Sequence, residues 1–281
     1  MLGERFGSFK AVAKLGKGAM GEVFLAQHQR IERRAAIKVL LPEGARDAAT
    51  VRRFFTEARA TSLIRHPGIV QVHDCDVHRN GRAYIVMEYL EGESLAHRLR
   101  RCGVLPWSSA CRITCLVADA VSAAHERKII HRDLKPGNVF LLSEAEWPQP
   151  AEVKVLDFGV AKLLESDGAA GPATTVGRIL GTPEYMSPEQ CSGARVDHRC
   201  DVYSLGCMLF EMIVGAPPFM SSRVRDVLAS HKFRSPPSLA ALIADTPPWL
   251  DGLVTGMLAK EPARRPQAMA EVAAILASAG S

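Results

Sequence analysis

The stretch His131–Asn138, which reads HRDLKPGN, places an imidazole, a guanidinium, a carboxylate, an ammonium and an amide in one short segment. Because Pro-Gly pairs mark turns, we predict a loop here rather than a helix or strand. A surface loop can carry such a mixture of polar groups without any function. A chemical role therefore depends on whether partners for these groups occur elsewhere in the chain.

The composition is that of an ordinary folded protein. The chain has 281 residues, of which 47% are hydrophobic and 23% charged, and its formal net charge is +5. This length allows one large domain or two lobes rather than a small disulfide-stabilised module. The basic residues are scattered, which weakly favours anionic ligands but does not by itself decide about nucleic acid. Only the mild net charge favours a nucleic-acid binder, so we expect no nucleic-acid partner.

The seven cysteines form an odd set without a CxxC pair, which indicates free, mostly buried thiols in a reducing cytoplasm. The spacing of His73, Cys75 and His78 matches no familiar ligand pattern, so we expect no metal there. The opening segment lacks the apolar core of a signal peptide, and no apolar run is long enough to cross a bilayer. These features predict a cytoplasmic location and no membrane span within this chain.

Hydrophobic periodicity divides the chain near residues 90–92. The first part contains strand-like runs rich in branched and aromatic residues, and one amphipathic helix is predicted over 48–63. Its inward face is predicted from apolar or small residues at helical intervals, namely Val51, Phe54, Phe55, Ala58 and Ser62. After residue 91 helical periodicity predominates, and the first long helix, over 108–126, is predicted to have Ser108 or Ser109 as its cap.

Gly16, Gly18 and Gly21 have G-x-G-x-x-G spacing. The spacing alone is weak, because dinucleotide-binding folds use it too and glycine turns between strands are common. A helix follows the glycines in a dinucleotide site, whereas here a strand-like run follows, which predicts a hairpin whose backbone can approach phosphates. A purely structural turn is the alternative.

Lys38 lies in the apolar run AAIKVLL, where an ammonium is costly unless a counter-charge meets it. Nucleotide phosphates are one candidate partner. Glu57 is the other, because it lies three residues after Phe54 and so shares the inward face of the predicted helix. The alternative is a solvent-facing lysine and a glutamate on the helix surface.

Asp157 lies at the end of another strand-like run. It supplies a partner for the polar groups of His131–Asn138. Asn138 and Asp157 offer the hard oxygen ligands that nucleotide-bound Mg²⁺ takes. Asp133 could accept a proton from an attacking hydroxyl, while Lys135 neutralises a phosphoryl group in transfer. The stretch is thus interpreted as one face of a phosphoryl-transfer site.

These motifs together resemble the protein kinase family, in its eukaryotic-like Ser/Thr form found in bacteria. They run in the family's order from Gly16 to Arg265. The resemblance implies an α+β, bilobal kinase domain over 1–281, with a small antiparallel sheet and one key helix in an N-lobe of about 1–90. A larger, mainly helical C-lobe would span about 91–281. ATP with Mg²⁺ or Mn²⁺, and Ser or Thr of protein substrates, would be the reactants.

The resemblance also assigns nucleotide contacts. Lys38, paired with Glu57, would hold the α and β phosphates. The loop over the phosphates would comprise Leu15, Gly16, Lys17, Gly18, Ala19, Met20, Gly21, Glu22 and Val23. The adenine would contact Met87, the backbone of Glu88 and Leu90, and the side chains of Val23, Ala36 and Phe140.

Catalytic roles follow from the same resemblance. Asp133 would be the base, Lys135 a further catalytic residue, and Asn138 and Asp157 the metal ligands. Lys135, together with Thr182 in GTPEYMSPE, is typical of Ser/Thr-directed rather than Tyr-directed members.

Three further residues resemble structural positions of the family. Glu189 would pair with Arg265, and Asp201 would begin a buried helix and hold the catalytic loop through backbone hydrogen bonds. The chain departs from the family in segment 143–152, which contains Trp147 and is predicted to be a lengthened hairpin loop.

Regulation is expected in a mobile Gly/Ala/Thr-rich segment. Thr174 and Thr175 lie there, and a phosphate on either could pair with Arg132 and Lys162 after autophosphorylation. The alternative is that the two threonines are ordinary loop residues with no regulatory role. The family resemblance also implies that the chain could form a homodimer through the N-lobe.

Two other functions stay open. A pseudokinase scaffold would usually lack the metal Asp, the strand Lys or the base, and all three are present here. A small-molecule phosphotransferase of kinase-like fold would lack the GTPEYMSPE segment that binds an extended peptide. Both features favour an active protein kinase.

Overall fold

The structure is a computed structural model that describes residues 1–18, 20–143, 153–158 and 182–279. The chain divides into two compact units. Unit 1 comprises Met1–Arg65 and Ile69–Glu91, and unit 2 comprises His66–Gly68 and Gly92–Ser281. In the described ranges, no helix has both the length and the apolar character needed to span a membrane.

The described residues contain nine strands and ten α-helices. The strands are β1 (Arg5–Phe6), β2 (Phe9–Lys17), β3 (Gly21–His28), β4 (Arg34–Leu40), β5 (Val72–Val77), β6 (Ala83–Glu88), β7 (Gly92–Ser94), β8 (Val139–Leu142) and β9 (Val153–Val155). The helices are α1 (Pro42–Ala45), α2 (Ala48–Ser62), α3 (Leu95–Cys102), α4 (Trp107–Glu126), α5 (Pro188–Cys191), α6 (Arg199–Val214), α7 (Val224–Phe233), α8 (Leu239–Leu242), α9 (Pro248–Met257) and α10 (Met269–Ala279).

Unit 1 is an antiparallel sheet in the order β1-β2-β3-β4-β6-β5, with α2 packed against it. Strand β4 is buried along nearly its whole length. Successive side chains of a strand point to opposite faces. Ile37 and Val39 therefore enter one apolar cluster with Phe6 and Tyr84, whereas Leu40 enters the cluster formed with α2. By the same alternation, Lys38 lies on the α2 side of the sheet.

Helix α2 begins after Asp47, whose carboxylate accepts hydrogen bonds from the amides of Ala49 and Thr50. The predicted inward positions Phe54 and Ala58 are buried. The prediction for Ser62 is wrong, because it is exposed. Thr61 is buried in its place, as the helical intervals counted from Phe54 require.

Unit 2 is mainly helical and also holds the short antiparallel sheet β7-β8-β9. Its centre is α6, in which nearly every residue is buried, and α4 packs against both α6 and α10. Neither serine predicted as the cap of α4 has that role. The helix begins one residue earlier, after Pro106, whose φ of −52° suits a helix start and whose ring offers no cap.

All seven cysteines are free thiols. Cys111, Cys200 and Cys207 are buried, whereas Cys75 and Cys102 are exposed. The expectation of mostly buried thiols is therefore only partly correct.

Candidate active site

The glycine-rich segment is a hairpin between two strands, as predicted. Gly16 pairs with Val23 across β2 and β3, and the amide of Gly18 donates to the carbonyl of Gly21 at 2.8 Å. A Cβ placed on Gly16 would meet no described atom within 4 Å. Packing therefore does not require glycine at position 16, whereas close approach of a ligand to the backbone would.

Gly21 has the opposite property, because a Cβ placed there would lie 2.7 Å from the carbonyl oxygen of Val39. Replacing Gly21 by Ala is expected to destabilise the chain by about 1–3 kcal/mol, since the backbone of β4 would have to move. Chemical unfolding would measure the loss, with Gly16→Ala as the matched control. Equal losses for the two variants would contradict this account of Gly21.

Lys38 and Glu57 form a buried ion pair. The Nζ of Lys38 lies 3.4 Å from Oε1 of Glu57, and the two residues are only 8% and 6% exposed. Strand β4 supplies the lysine and the inward face of α2 supplies the glutamate. The alternative of a solvent-facing lysine is therefore wrong.

The residues assigned to the adenine belong partly to unit 1 and partly to unit 2. Ala36 pairs with Met87 across β4 and β6. The amide of Glu88 donates to the carbonyl of Gln71 at 2.9 Å, and its carboxylate accepts from the Gln71 amide at 2.7 Å. Phe140 belongs to unit 2, where it lies in β8.

In unit 2, the loop that begins at His131 is held by Asp201, in the first turn of α6. The Asp201 carboxylate accepts from the amides of His131 and Arg132, both at 2.8 Å, and from Nε2 of His125 at 2.8 Å. Burial acts to raise the pKa of Asp201, but the hydrogen bond and charge of His125 outweigh it and keep that pKa below its usual value. The predicted role of Asp201 is confirmed by these contacts.

His131 is fully buried, and its ring contacts the backbone of two separate segments. Burial lowers the pKa of His131, so its ring is neutral near pH 7. Nε2 lies 3.0 Å from the carbonyl of Leu156, and Nδ1 lies 3.3 Å from the amide of Asp133. The tautomer with the proton on Nε2 satisfies both contacts. The His131 side chain thus connects the loop to the segment that contains Asp157.

Asp133, Lys135 and Asn138 are brought together by the turn of this loop. The Nζ of Lys135 donates to Oδ2 of Asp133 at 2.7 Å. The amide nitrogen of Asn138 donates to the backbone carbonyl of Asp133 at 2.9 Å. Because the nitrogen is used in this way, the amide oxygen of Asn138 is the atom left for a cation.

Asp157 is positioned by its two neighbours. The amide of Leu156 donates to the carbonyl of Asn138 at 2.8 Å, and the ring of Phe158, fully buried, lies 4.7 Å from the ring of His131. Asp157 has a φ of +48° and Arg132 a φ of +62°. Such left-handed conformations are uncommon outside glycine and concentrate at functional sites.

A cavity of about 340 Å³ opens beside the loop of Asp133. Lys135 and Thr182 line it, together with Tyr185, Glu211 and Arg100. The hydroxyl of Tyr185 donates to Glu211 at 2.6 Å. Thr182, predicted from its motif, is thus on the same cavity as Lys135.

Sequence reasoning missed two residues that hold the loop. His125 donates to Asp201, and the side-chain nitrogen of Gln190 donates to the carbonyl of Arg132 at 2.9 Å. A weak signal exists for His125, which lies one helical interval after the buried Val121. Nothing in the sequence separates Gln190 from an ordinary surface residue.

Several predicted residues lie outside the described ranges. They are Ala19, Trp147, Lys162, Thr174 and Thr175. The same holds for residues 144–152 of the lengthened loop. In the part of the chain that the structure describes, no group of three or more His, Cys, Asp or Glu side chains is arranged to hold a metal.

The protein kinase domain family model matches residues 9–274, and the chain belongs to this family. Bacterial Ser/Thr protein kinases are among the proteins that it resembles. It is 42% identical over 239 residues to the serine/threonine-protein kinase Pkn1 of Myxococcus xanthus, covering 84% of this chain and 33% of Pkn1. It is 37% identical over 225 residues to PknB of Mycobacterium leprae, covering 79% of this chain and 35% of PknB.

The fold is also similar to that of a solved kinase structure. The kinase domain of Mycobacterium tuberculosis PknI is similar with a TM-score of 0.75 and 32% identity, covering 100% of this chain and 99% of that one. The predicted kinase fold, with an antiparallel sheet and one long helix in unit 1 and a mainly helical unit 2, is therefore confirmed. The chain spans only about a third of the length of Pkn1 and PknB. Protein kinases in general use ATP and a divalent cation.

Proposed function

We propose that this chain transfers the γ-phosphoryl group of ATP to Ser or Thr hydroxyls of protein substrates. One observation carries the proposal most directly. Asp133, the candidate base, lies on a loop whose backbone is fixed by Asp201, and its carboxylate is 2.7 Å from the ammonium of Lys135. A proton acceptor is thus held against a cation, Lys135, that lines a cavity large enough for an acceptor side chain.

Each group has a distinct task in unit 2. Asp133 orients the acceptor hydroxyl and accepts its proton, while Lys135 stabilises negative charge that develops nearby. The Thr182 hydroxyl, on the same cavity as Lys135, would contact the acceptor segment. In unit 1, Lys38 would bind phosphate oxygens, and Glu57 would keep its ammonium in place.

The residues fit a magnesium nucleotide. Bound ATP supplies the phosphoryl group, and its divalent cation offsets the phosphate charge. Asn138 and Asp157 would hold Mg²⁺, or Mn²⁺, through the amide oxygen and the carboxylate. One carboxylate and one amide suffice because phosphate oxygens and water complete such a site. The open space above Gly16 suits close approach of phosphates to the hairpin.

Regulation and assembly belong to the same proposal. Phosphate on Thr174 or Thr175 would pair with Arg132 and Lys162 and so switch activity. The seven free cysteines support a reducing, cytoplasmic location. A homodimer through unit 1 stays a prediction from the family resemblance.

The decisive experiment is transfer of radiolabelled phosphate from ATP to a generic basic protein, followed by phosphoamino-acid analysis. We expect phosphoserine or phosphothreonine from the wild-type chain. Lys38→Met should lower kcat/KM by about 10- to 100-fold, the equivalent of losing charge-assisted bonds of about 1.5–3 kcal/mol. Mass spectrometry of the same reaction would show whether Thr174 or Thr175 becomes phosphorylated.

The two alternative functions give different results. A scaffold would bind nucleotide without transfer to any protein. A small-molecule phosphotransferase would leave the protein unlabelled while consuming ATP in the presence of its substrate. Transfer that is undiminished in Lys38→Met would overturn the assignment of the phosphate-binding lysine.

A further inference from the structure

The cavity of about 340 Å³ beside Lys135 has an unequal distribution of charge along its wall. Two of its residues are basic, Arg100 on α3 and Lys135, and one is acidic, Glu211 on α6. Which of these charges is available to a bound peptide depends on the partner that each already has.

The charges of Lys135 and Glu211 are occupied within the chain. Lys135 forms an ion pair with Asp133 at 2.7 Å, and Glu211 accepts a hydrogen bond from the hydroxyl of Tyr185 at 2.6 Å. Burial raises the pKa of Glu211, and the nearby carboxylate of Glu184 adds to that shift. Neither group therefore offers a fully free charge.

Helix α3 adds positive charge at the rim. Glu93, two residues before the helix, is held by three basic groups of α3, namely His97, Arg98 and Arg101. The hydrogen bond from Arg101, joined by that from Arg98, lowers the pKa of Glu93 to about 2. Glu93 is thus fully ionised and fully engaged, so it cannot serve as a receptor for a cation of a peptide.

Arg100 differs from its neighbours on α3. It is exposed, it lines the cavity, and its guanidinium has no hydrogen bond or ion pair to any residue that the structure describes. A guanidinium prefers carboxylate or phosphate oxygens, which it can bind through two parallel N–H groups.

We infer that Arg100 selects acceptor segments that carry an acidic residue, Asp or Glu, close to the Ser or Thr that is phosphorylated. This inference rests on the proposed function and names its class of substrate. The competing arrangement is a basic residue of the acceptor segment beside Glu184 and Glu211, and it predicts the opposite preference.

Peptides with one acceptor Thr in a neutral background test the inference. Glu, Ala or Lys is placed at one position at a time on either side of the Thr. For wild type, Glu at the best position should raise kcat/KM about three- to fivefold over Ala, and Lys should lower it, the scale of one exposed ion pair. The gain should lie in KM and shrink in 0.5 M salt, since Arg100 binds the peptide rather than the reacting atoms.

Charge reversal gives the sharpest result. Arg100→Glu should make the Lys peptide the better substrate, while the matched control Arg225→Glu, an exposed arginine of α7, should keep the preference for Glu. A wild-type preference for Lys, equal use of all three peptides, or an unchanged preference in Arg100→Glu would each overturn the inference.

Binding of fluorescein-labelled peptides separates this inference from the proposed function. If the chain transfers phosphate but does not distinguish the peptides, the inference fails and the function stands. If no transfer occurs, yet the Glu peptide binds more tightly than the Lys peptide and Arg100→Glu reverses that order, the acidic preference stands and the function fails. Absence of both transfer and selective binding overturns both.

Discussion

Asp133→Asn is expected to lower kcat by at least about a hundredfold, the usual scale for loss of a positioned proton acceptor. Asn keeps the shape of the side chain and can still accept a hydrogen bond from Lys135, but it cannot take the proton. The bond from Asn138 to the Asp133 backbone carbonyl is unaffected, and the longer bond of 3.3 Å from Asn138 to Oδ2 of Asp133 can be accepted by the oxygen of the new amide, so the loop should keep its conformation. Turnover at saturating ATP and peptide would measure the effect.

Nucleotide affinity distinguishes a lost base from a disordered site. Binding of ATP should change little in Asp133→Asn, because no nucleotide contact is assigned to that side chain. Asp119→Asn is the matched control, since its carboxylate is also hydrogen bonded, to His66 at 3.1 Å, but is 66% exposed. Near-normal turnover of Asp133→Asn would mean that the base is misassigned.

The sequence best predicts contacts without which a charged side chain would be buried with no partner, because such burial has a large energetic cost. Lys38 in an apolar strand required a counter-charge, and the helical interval from Phe54 made Glu57 one of two candidate partners, which the structure shows paired with Lys38. The pair of Glu189 and Arg265 and the role of Asp201 followed from matched motifs, and both contacts are present.

Other features depend on which of several possible residues or contacts prevails, and a sequence pattern does not show this. Ser108 and Ser109 are good caps, but Pro106 starts α4 before either can act. Arg132 and Asp157 have left-handed φ values, and the contacts around them are with distant residues: the amide of Arg132 donates to Asp201, and the amide of Leu156, beside Asp157, donates to Asn138. A local sequence pattern does not predict such contacts. For the same reason, the link from Gln190 to the catalytic loop could not be foreseen.

Arg265→Met is expected to lower the free energy of unfolding by about 3–5 kcal/mol, because it leaves the carboxylate of Glu189 without its partner. The Arg265 side chain is fully buried and binds Glu189 through two bonds, at 2.7 and 2.8 Å. Its remaining N–H groups donate to the carbonyls of Ala259, Arg199 and Lys260. The corresponding fall in Tm is roughly 10 °C, which thermal unfolding would measure.

The adjacent arginine supplies the control. Arg264 is 74% exposed and pairs with Glu261 at 3.0 Å, so Arg264→Met should change stability by no more than about 0.5 kcal/mol. A double-mutant cycle then separates the ion pair from the carbonyl contacts. Glu189→Met combined with Arg265→Met should cost less than the two single changes added together, because the double variant leaves no buried charge unpaired. If the two losses simply add, the stability of this region comes from the carbonyl bonds of Arg265, and Glu189 contributes independently of it.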